Sequence, residues 1–153
     1  VARSNAIGFA TMGARVTLVG PPTLLPPSLD GWPVEVTHDL DAVIDELDIC
    51  YLLRMQLERQ KQAVVPTLRE YHHECGLTSA RADRLGAEAL IMHPGPMNRG
   101  VEIAGEVADR PNAVITEQVA NGVSVRMAVL FLLLGAGLQP VDESAVGGGL
   151  AVA

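Results

Sequence analysis

Apolar and polar positions along this chain fall into short alternating blocks, some with a period near two and some near 3.6. Residues 1–14, VARSNAIGFATMGA, predict a helix that packs through Ala2, Ile7, Phe9, Ala10 and Met12 and stops at Gly13. RVTLVG (15–20) is short and rich in β-branched residues, the mark of a buried strand. Closely spaced prolines and Asp30-Gly31 make residues 21–33 a loop with room for one helical turn. VEVTHD (34–39) predicts a second strand, and DLDAVIDELD (39–48) a short helix with acidic residues in the first turn, where the dipole favours them. ICYLLR (49–54) is a third strand, apolar on both faces as parallel strands covered by helices are.

The second half repeats the alternation. Residues 55–64 are polar and weakly patterned, a loop, and PTLREYHHECG (66–76) opens with proline at a helix start and ends at Gly76. TSARADRLG (78–86) supplies another helix with Thr78 as N-cap. ALIMHP (89–94) is a fourth strand, VEIAGEVAD (101–109) a short helix, NAVIT (112–116) a last strand, and NGVSVRMAVLFLLLG (121–135) an almost wholly apolar helix. Residues 136–153, with VGGG inside, are expected to form a frayed tail without function. The sum is an α/β domain over residues 1–135, a parallel, Rossmann-like sheet with helices on both faces.

In such sheets ligands gather beyond the carboxyl ends of the strands. Arg54 ends the third strand and His93-Pro94-Gly95-Pro96 follows the fourth, so both segments are expected at one edge. Arg54 and Gln56 are two apart and share a side of an extended stretch. A guanidinium fork beside an amide suits a carboxylate, although an arginine that only caps its strand reads the same. Glu58 and Arg59 follow closely enough to orient that fork, or form a solvated face.

In IMHPGPMNRG (91–100) two prolines around one glycine stiffen the backbone and present carbonyls at fixed positions. Gly95-Pro96 is a bond where a cis peptide is affordable. His93 has the chemistry of a base near neutral pH, but a histidine ending a buried strand is more often a hydrogen-bonded core residue. Arg99 and Glu102 are expected to brace this loop. His72 and His73 are adjacent and share no helix face for a metal.

Composition narrows the partners. The chain has 153 residues, 48% hydrophobic and 19% charged, enough for one globular core. A net charge of −7 argues against nucleic acid and anionic membranes, so an anionic ligand needs locally placed arginines. Cys50 and Cys75 lack metal-ligand spacing and read as reduced thiols of a cytoplasmic protein. The apolar run from Met127 to Leu138 is shorter than the roughly 18 residues of a membrane span. No dinucleotide-binding, Walker or nucleophile-elbow motif is present. Val1 opens directly into the helical pattern, which leads us to expect a segment upstream that was cut away, or a trimmed chain.

Taken together, VARSN, GARVTLVGPPTLLP, LLRMQLERQ, REYHHECGLT, IMHPGPMNRGVEI and EQVANGVSVRMAVLFLLLG resemble, in order from residue 1 to about 135, the carboxyl-terminal half of bacterial aspartate carbamoyltransferases. The resemblance implies transfer of the carbamoyl group from carbamoyl phosphate to the amine of L-aspartate, in pyrimidine biosynthesis, with no metal or organic cofactor. It implies that Arg54, with Gln56 beside it, grips an aspartate carboxylate. It further implies that Pro94, Gly95 and Pro96 contact the carbamoyl group and the amine through their backbone, with a cis bond at Gly95-Pro96. The family's phosphate-gripping residues lie in an amino-terminal half absent here, so the isolated chain is expected to be inactive. The family also places a strand ahead of the opening helix, so this sheet is expected to lack one strand, and full-length chains are expected to form a homotrimer. An ornithine carbamoyltransferase is the neighbouring reading, disfavoured because its loop reads His-Cys-Leu-Pro; a noncatalytic, degenerate segment is the other.

Overall fold

The computed structural model describes residues 1–56 and 65–134. They belong to two units, one spanning Val1–Gln118 and one starting at Val119. In order, the elements are α1 (Ala2–Thr11), β1 (Thr17–Val19), β2 (Glu35–Thr37), a 3₁₀ turn (Ile44–Glu46), β3 (Ile49–Tyr51), α2 (Leu68–Cys75), α3 (Ser79–Ala82), β4 (Leu90–Met92) and α4 (Ile115–Leu134). Every strand pairing is parallel, as expected for an α/β fold, with β1 on β2 and β3 on β4.

The strands form two separate ladders rather than one continuous sheet. A hollow of about 490 Å³ is lined from both, by Thr17 of β1 and by Ile49 and Tyr51 of β3, with Phe9 of α1. NAVIT makes no strand of its own. It contributes one parallel bridge, Ala113 to Ile91, with Ile91 donating to Asn112 O at 2.9 Å and Val114 donating to Ile91 O at 3.0 Å. Then α4 begins at Ile115, earlier than the apolar run alone indicated.

Helix α1 ends where Gly13 adopts φ 89°, a left-handed conformation that costs a residue without a Cβ little. Its buried residue is Ala6, flanked at helical spacing by half-buried Ala2, Phe9 and Ala10. Ile7 and Met12 lie off that stripe and are exposed, a correction to the expected packing set. The stretch 39–48 forms only a 3₁₀ turn. Asp39 Oδ1 accepts the Asp41 N–H at 2.9 Å, a local side-chain bond that competes with a helical ladder. Residues 101–109 likewise form no helix: Leu77 donates to Glu102 O and Ala104 donates to Leu77 O, a bridge that holds the backbone at Ile103 extended, and turns flank it on both sides.

Helix α2 has Thr67 as N-cap, its hydroxyl accepting the Glu70 N–H at 3.0 Å, with Pro66 just outside. Thr78 caps α3 in the same way, accepting from Arg81 N. Arg81 in turn reaches back to the last carbonyls of α2, His73 O and Glu74 O, and to Gly76 O, while its fork pairs with Asp41. The core beneath is built from Ile44, Leu77, Ile91, Ile103 and Val107, all fully buried. Cys50 sits in it, and burial raises its thiol to about 12.

From Val119 onward the side chains of α4 are exposed, among them Met127, Leu130, Phe131 and Leu133. With 20 residues and a mean hydropathy of 1.3 over its apolar window, the helix is long and apolar enough to cross a membrane, by length and composition only. This corrects the expectation that no segment reaches that length. The apolar run is continued toward its amino end by Ile115, Val119 and Val123 within one unbroken helix.

Candidate functional site

Three parallel strands deliver their carboxyl ends to one place. β1 runs into Val19 and Gly20, β3 into Leu53–Gln56 and β4 into Pro94–Pro96, and all of these line a cleft of about 550 Å³. The β3–β4 ladder continues one step past the strand, Leu52 donating to Met92 O at 2.8 Å, so the two loops leave the sheet side by side. Leu24, Leu25 and Trp32 from the proline-rich loop, Val1 and Ala2 from the chain start, and Tyr71 of α2 close the walls. The cleft therefore has apolar walls and one guanidinium, that of Arg54, among its lining residues.

Arg54, Gln56, Pro94, Gly95 and Pro96, singled out from sequence as binding residues, are thus brought together. Arg54 and Gln56 are half-buried, and Met55 between them is 4% exposed. The Gly95-Pro96 peptide is cis and Gly95 takes φ 64°, a conformation that favours glycine. Glu58 and Arg59, expected to orient the arginine fork, lie outside the described residues.

His93 is wholly buried and belongs to the scaffold of the loop rather than to its surface. Its Nδ1 accepts the Gly95 N–H at 2.9 Å, so the hydrogen sits on Nε2, which faces Glu102 Oε1 at 3.2 Å. The His93 backbone N–H donates to Gln118 Oε1 at 3.0 Å, and Gln118 Nε2 donates to the Tyr51 hydroxyl at 2.8 Å. With its Nδ1 lone pair taken and its other nitrogen on a buried carboxylate, His93 is not placed to act as a base toward the cleft.

Glu102 does brace the loop. It is 2% exposed and accepts from His93 and from the Asn98 N–H. Burial pushes its carboxyl up, but the His93 ring and the backbone N–H groups of Asn98, Glu102 itself and Met55 outweigh that and hold it below the usual glutamate value. Arg99 braces a different stretch. It forks onto Asp109 at 2.7 and 2.8 Å and donates to Gly105 O, tying residues 99–109 together at the surface. The Asp109 carboxyl is lowered chiefly by the hydrogen bond from Arg99.

Sequence reasoning missed four residues. Asn98 Nδ2 donates to Met55 O at 3.0 Å, a link from the proline loop to the Arg54–Gln56 segment. Gln118 reads as one more polar residue at the start of an apolar helix. Tyr71 faces the cleft with its phenol raised to about 12 by burial first, then by the Cys75 and Glu102 charges. Trp32 lines the cleft and carries the Arg3 guanidinium 5.8 Å from its ring centroid. No local pattern marks any of the four. Among the described residues no group of three or more His, Cys, Asp or Glu side chains is placed to hold a metal ion.

Residues 1–133 match the family described as Aspartate/ornithine carbamoyltransferase, Asp/Orn binding domain. The chain is 58% identical over 135 residues to the aspartate carbamoyltransferase catalytic subunit of Parafrankia sp. (strain EAN1pec), covering 88% of this chain and 44% of that protein. It is 52% identical over 143 residues to the corresponding subunit of Desulfitobacterium hafniense (strain DSM 10664 / DCB-2), covering 94% and 46%. Among solved structures, aspartate transcarbamoylase from Trypanosoma cruzi in complex with carbamoyl aspartate and phosphate superimposes with a TM-score of 0.64 at 28% identity, over 76% of this chain and 39% of that one. Ornithine carbamoyltransferase from Gloeobacter violaceus gives 0.73 at 22% identity, over 88% and 48%, a likeness of fold. The chain thus spans less than half the length of the curated relatives it matches.

Proposed function

We propose, from the premise that this chain belongs to the aspartate/ornithine carbamoyltransferase family, that residues 1–135 are the aspartate-binding domain of an aspartate carbamoyltransferase. The activity is carbamoyl transfer from carbamoyl phosphate to the amine of L-aspartate, giving N-carbamoyl-L-aspartate and phosphate, a step of pyrimidine biosynthesis. One observation carries the reading: Arg54 and Gln56 line the same cleft as Pro94, Gly95 and Pro96, where three parallel strands end.

In this scheme the Arg54 fork takes a carboxylate of aspartate through two charge-assisted bonds, and the Gln56 amide adds a third donor. Backbone carbonyls of residues 94–96 receive hydrogens of the carbamoyl group and of the attacking amine. The chain's contribution is orientation: it holds one anionic reactant with its amine aimed, while apolar walls such as Leu24, Leu25 and Trp32 exclude water. Charge stabilisation of the departing phosphate falls to the part of the family's length that this chain does not span, so the isolated chain is inactive. A homotrimer of complete chains and a cytoplasmic location belong to the same proposal. Two free thiols, Cys50 and Cys75, fit a reducing compartment.

The test is to complete the chain with the amino-terminal portion of the Parafrankia relative and assay carbamoyl transfer to L-aspartate and to L-ornithine. Transfer to aspartate alone is expected. Transfer to ornithine would favour the neighbouring member of the family, and transfer to neither, from a folded protein, would favour a noncatalytic segment.

A further inference from the structure

We propose that Asn98 is a positioning residue: by clasping the Met55 carbonyl it sets the span between the Arg54–Gln56 segment and the proline loop. It thereby sets the length of dicarboxylic amino acid the cleft accepts. The inference rests on the aspartate-binding reading above and specifies what holds that site to size.

The hydrogen bonds link the two lining segments without a break. Asn98 Nδ2 donates to Met55 O at 3.0 Å, and Met55 O belongs to the peptide that joins Met55 to Gln56. The Asn98 backbone N–H donates to Glu102 Oε1, which the His93 ring also faces at 3.2 Å. His93 Nδ1 holds the Gly95 N–H at 2.9 Å. Both walls, the one bearing Arg54 and Gln56 and the one made of Pro94–Pro96, therefore hang from a single carboxylate that is 2% exposed. Glu102 is itself fixed from behind, its carbonyl accepting the Leu77 N–H at 3.0 Å.

Asparagine suits this place for a chemical reason. The clasp needs a side-chain donor that reaches a carbonyl while the same residue's N–H stays on Glu102. Aspartate has the length but offers only acceptors when ionised, alanine has neither reach nor donor, and glutamine keeps the donor on a stem one methylene longer. Aspartate and glutamate as ligands also differ by one methylene, a difference that a pocket distinguishes by roughly 10–200-fold when its walls are fixed. Fixing the walls is what the clasp does.

The experiment uses the chain completed as above, with Asn98→Asp, Asn98→Ala and Asn98→Gln. KM and kcat are measured for L-aspartate and L-glutamate at saturating carbamoyl phosphate, and KM for carbamoyl phosphate separately. Asn98→Asp and Asn98→Ala are expected to raise KM for aspartate about tenfold and to narrow the aspartate-over-glutamate preference by a similar factor. KM for carbamoyl phosphate should stay near the parent's, and circular dichroism should show the parent's fold even where the melting temperature falls with the lost bond. Asn98→Gln, which keeps a donor, should fold as the parent does and shift preference toward glutamate. Should the folded variants keep the parent's preference, or lose both amino acids equally, the proposal is overturned. If the parent itself transfers nothing to aspartate, the aspartate-binding reading fails and this inference with it.

Discussion

Gly95 donates its backbone N–H to Nδ1 of His93 at 2.9 Å, two residues back along the chain. That bond shapes the proline loop from inside, because it fixes the imidazole with its remaining hydrogen toward Glu102 Oε1 at 3.2 Å. A segment whose prolines cannot donate to a ladder obtains its order from one buried ring and one buried carboxylate.

Glu102 makes folding pH-dependent in a defined direction. Its carboxyl is held below the ordinary value of 4.5 in the folded chain despite burial, by the His93 ring and backbone N–H groups. A depressed folded value means that the stabilisation is present above about 4.5 and is lost as pH falls through the folded value. Glu102→Gln should cost about 1–3 kcal/mol at pH 7, as expected for a disturbed buried hydrogen-bond hub. Denaturant unfolding at pH 7 and at pH 3 checks this: the gap between parent and variant should narrow at the lower pH.

Arg54→Ala should weaken aspartate use in the completed enzyme with a smaller effect on carbamoyl phosphate. Each hydrogen bond to a charged group is worth about 1.5–3 kcal/mol, so KM for aspartate should rise by about tenfold or more. Arg54→Lys should rescue little, since an ammonium cannot reproduce the planar fork. Separate saturation curves for the two substrates are the measurement, and unchanged aspartate kinetics would remove Arg54 from the site.

The outline of the fold could be read from local pattern, and the wiring of the cleft could not. RVTLVG, ICYLLR and ALIMHP announce strands because β-branched and aliphatic residues stand at consecutive positions, although only the centres of β3 and β4, Cys50 and Ile91, are buried while Ile49 and Leu90 are exposed. Parallel pairing of β3 with β4 then places their carboxyl ends together, which is why Arg54 and Pro94–Pro96 could be matched from the sequence. The Asn98–Met55 bond joins residues 43 apart in sequence, and a lone Asn after a methionine carries no local sign of it. Residues 39–48 misled for a related reason. Asp41 and Asp45 look like first-turn helix residues, yet they are committed to Arg81 and Arg84, about forty positions away. Apolar periodicity also missed the start of α4, where Gln118 faces Tyr51 and His93 instead of solvent.

Gly76→Ala should destabilise the Val1–Gln118 unit. A Cβ there would stand 2.6 Å from His72 O, 2.7 Å from His72 Nδ1 and 2.8 Å from Val101 O. Two of those atoms are backbone, so the clash is relieved only by moving the end of α2 away from residues 101–104, and by straining the His72 Nδ1 to Val101 O bond of 2.9 Å. Overpacking of this kind costs about 1–3 kcal/mol. A fall of several degrees in melting temperature is expected, measured beside Gly105→Ala, whose Cβ meets nothing within 4 Å and should leave stability nearly unchanged.

Helix α4 gives the last expectation. Val123, Val125, Met127, Leu130, Phe131 and Leu133 are all exposed, a surface far more apolar than soluble chains leave uncovered. Only Arg126 among residues 119–134 carries a charge, so electrostatic repulsion between copies is weak there even though the whole chain is at −7. The isolated chain should therefore associate at micromolar concentration, seen as a mass above 16.2 kDa in light scattering. Replacing Leu130 and Phe131 by glutamate together places two charges on α4, and neither residue is a member of the core cluster, so folding of the Val1–Gln118 unit should be spared. The double variant is expected to return the mass toward the monomer while circular dichroism stays helical. A parent chain that is already monomeric would show that α4 is covered in some other way.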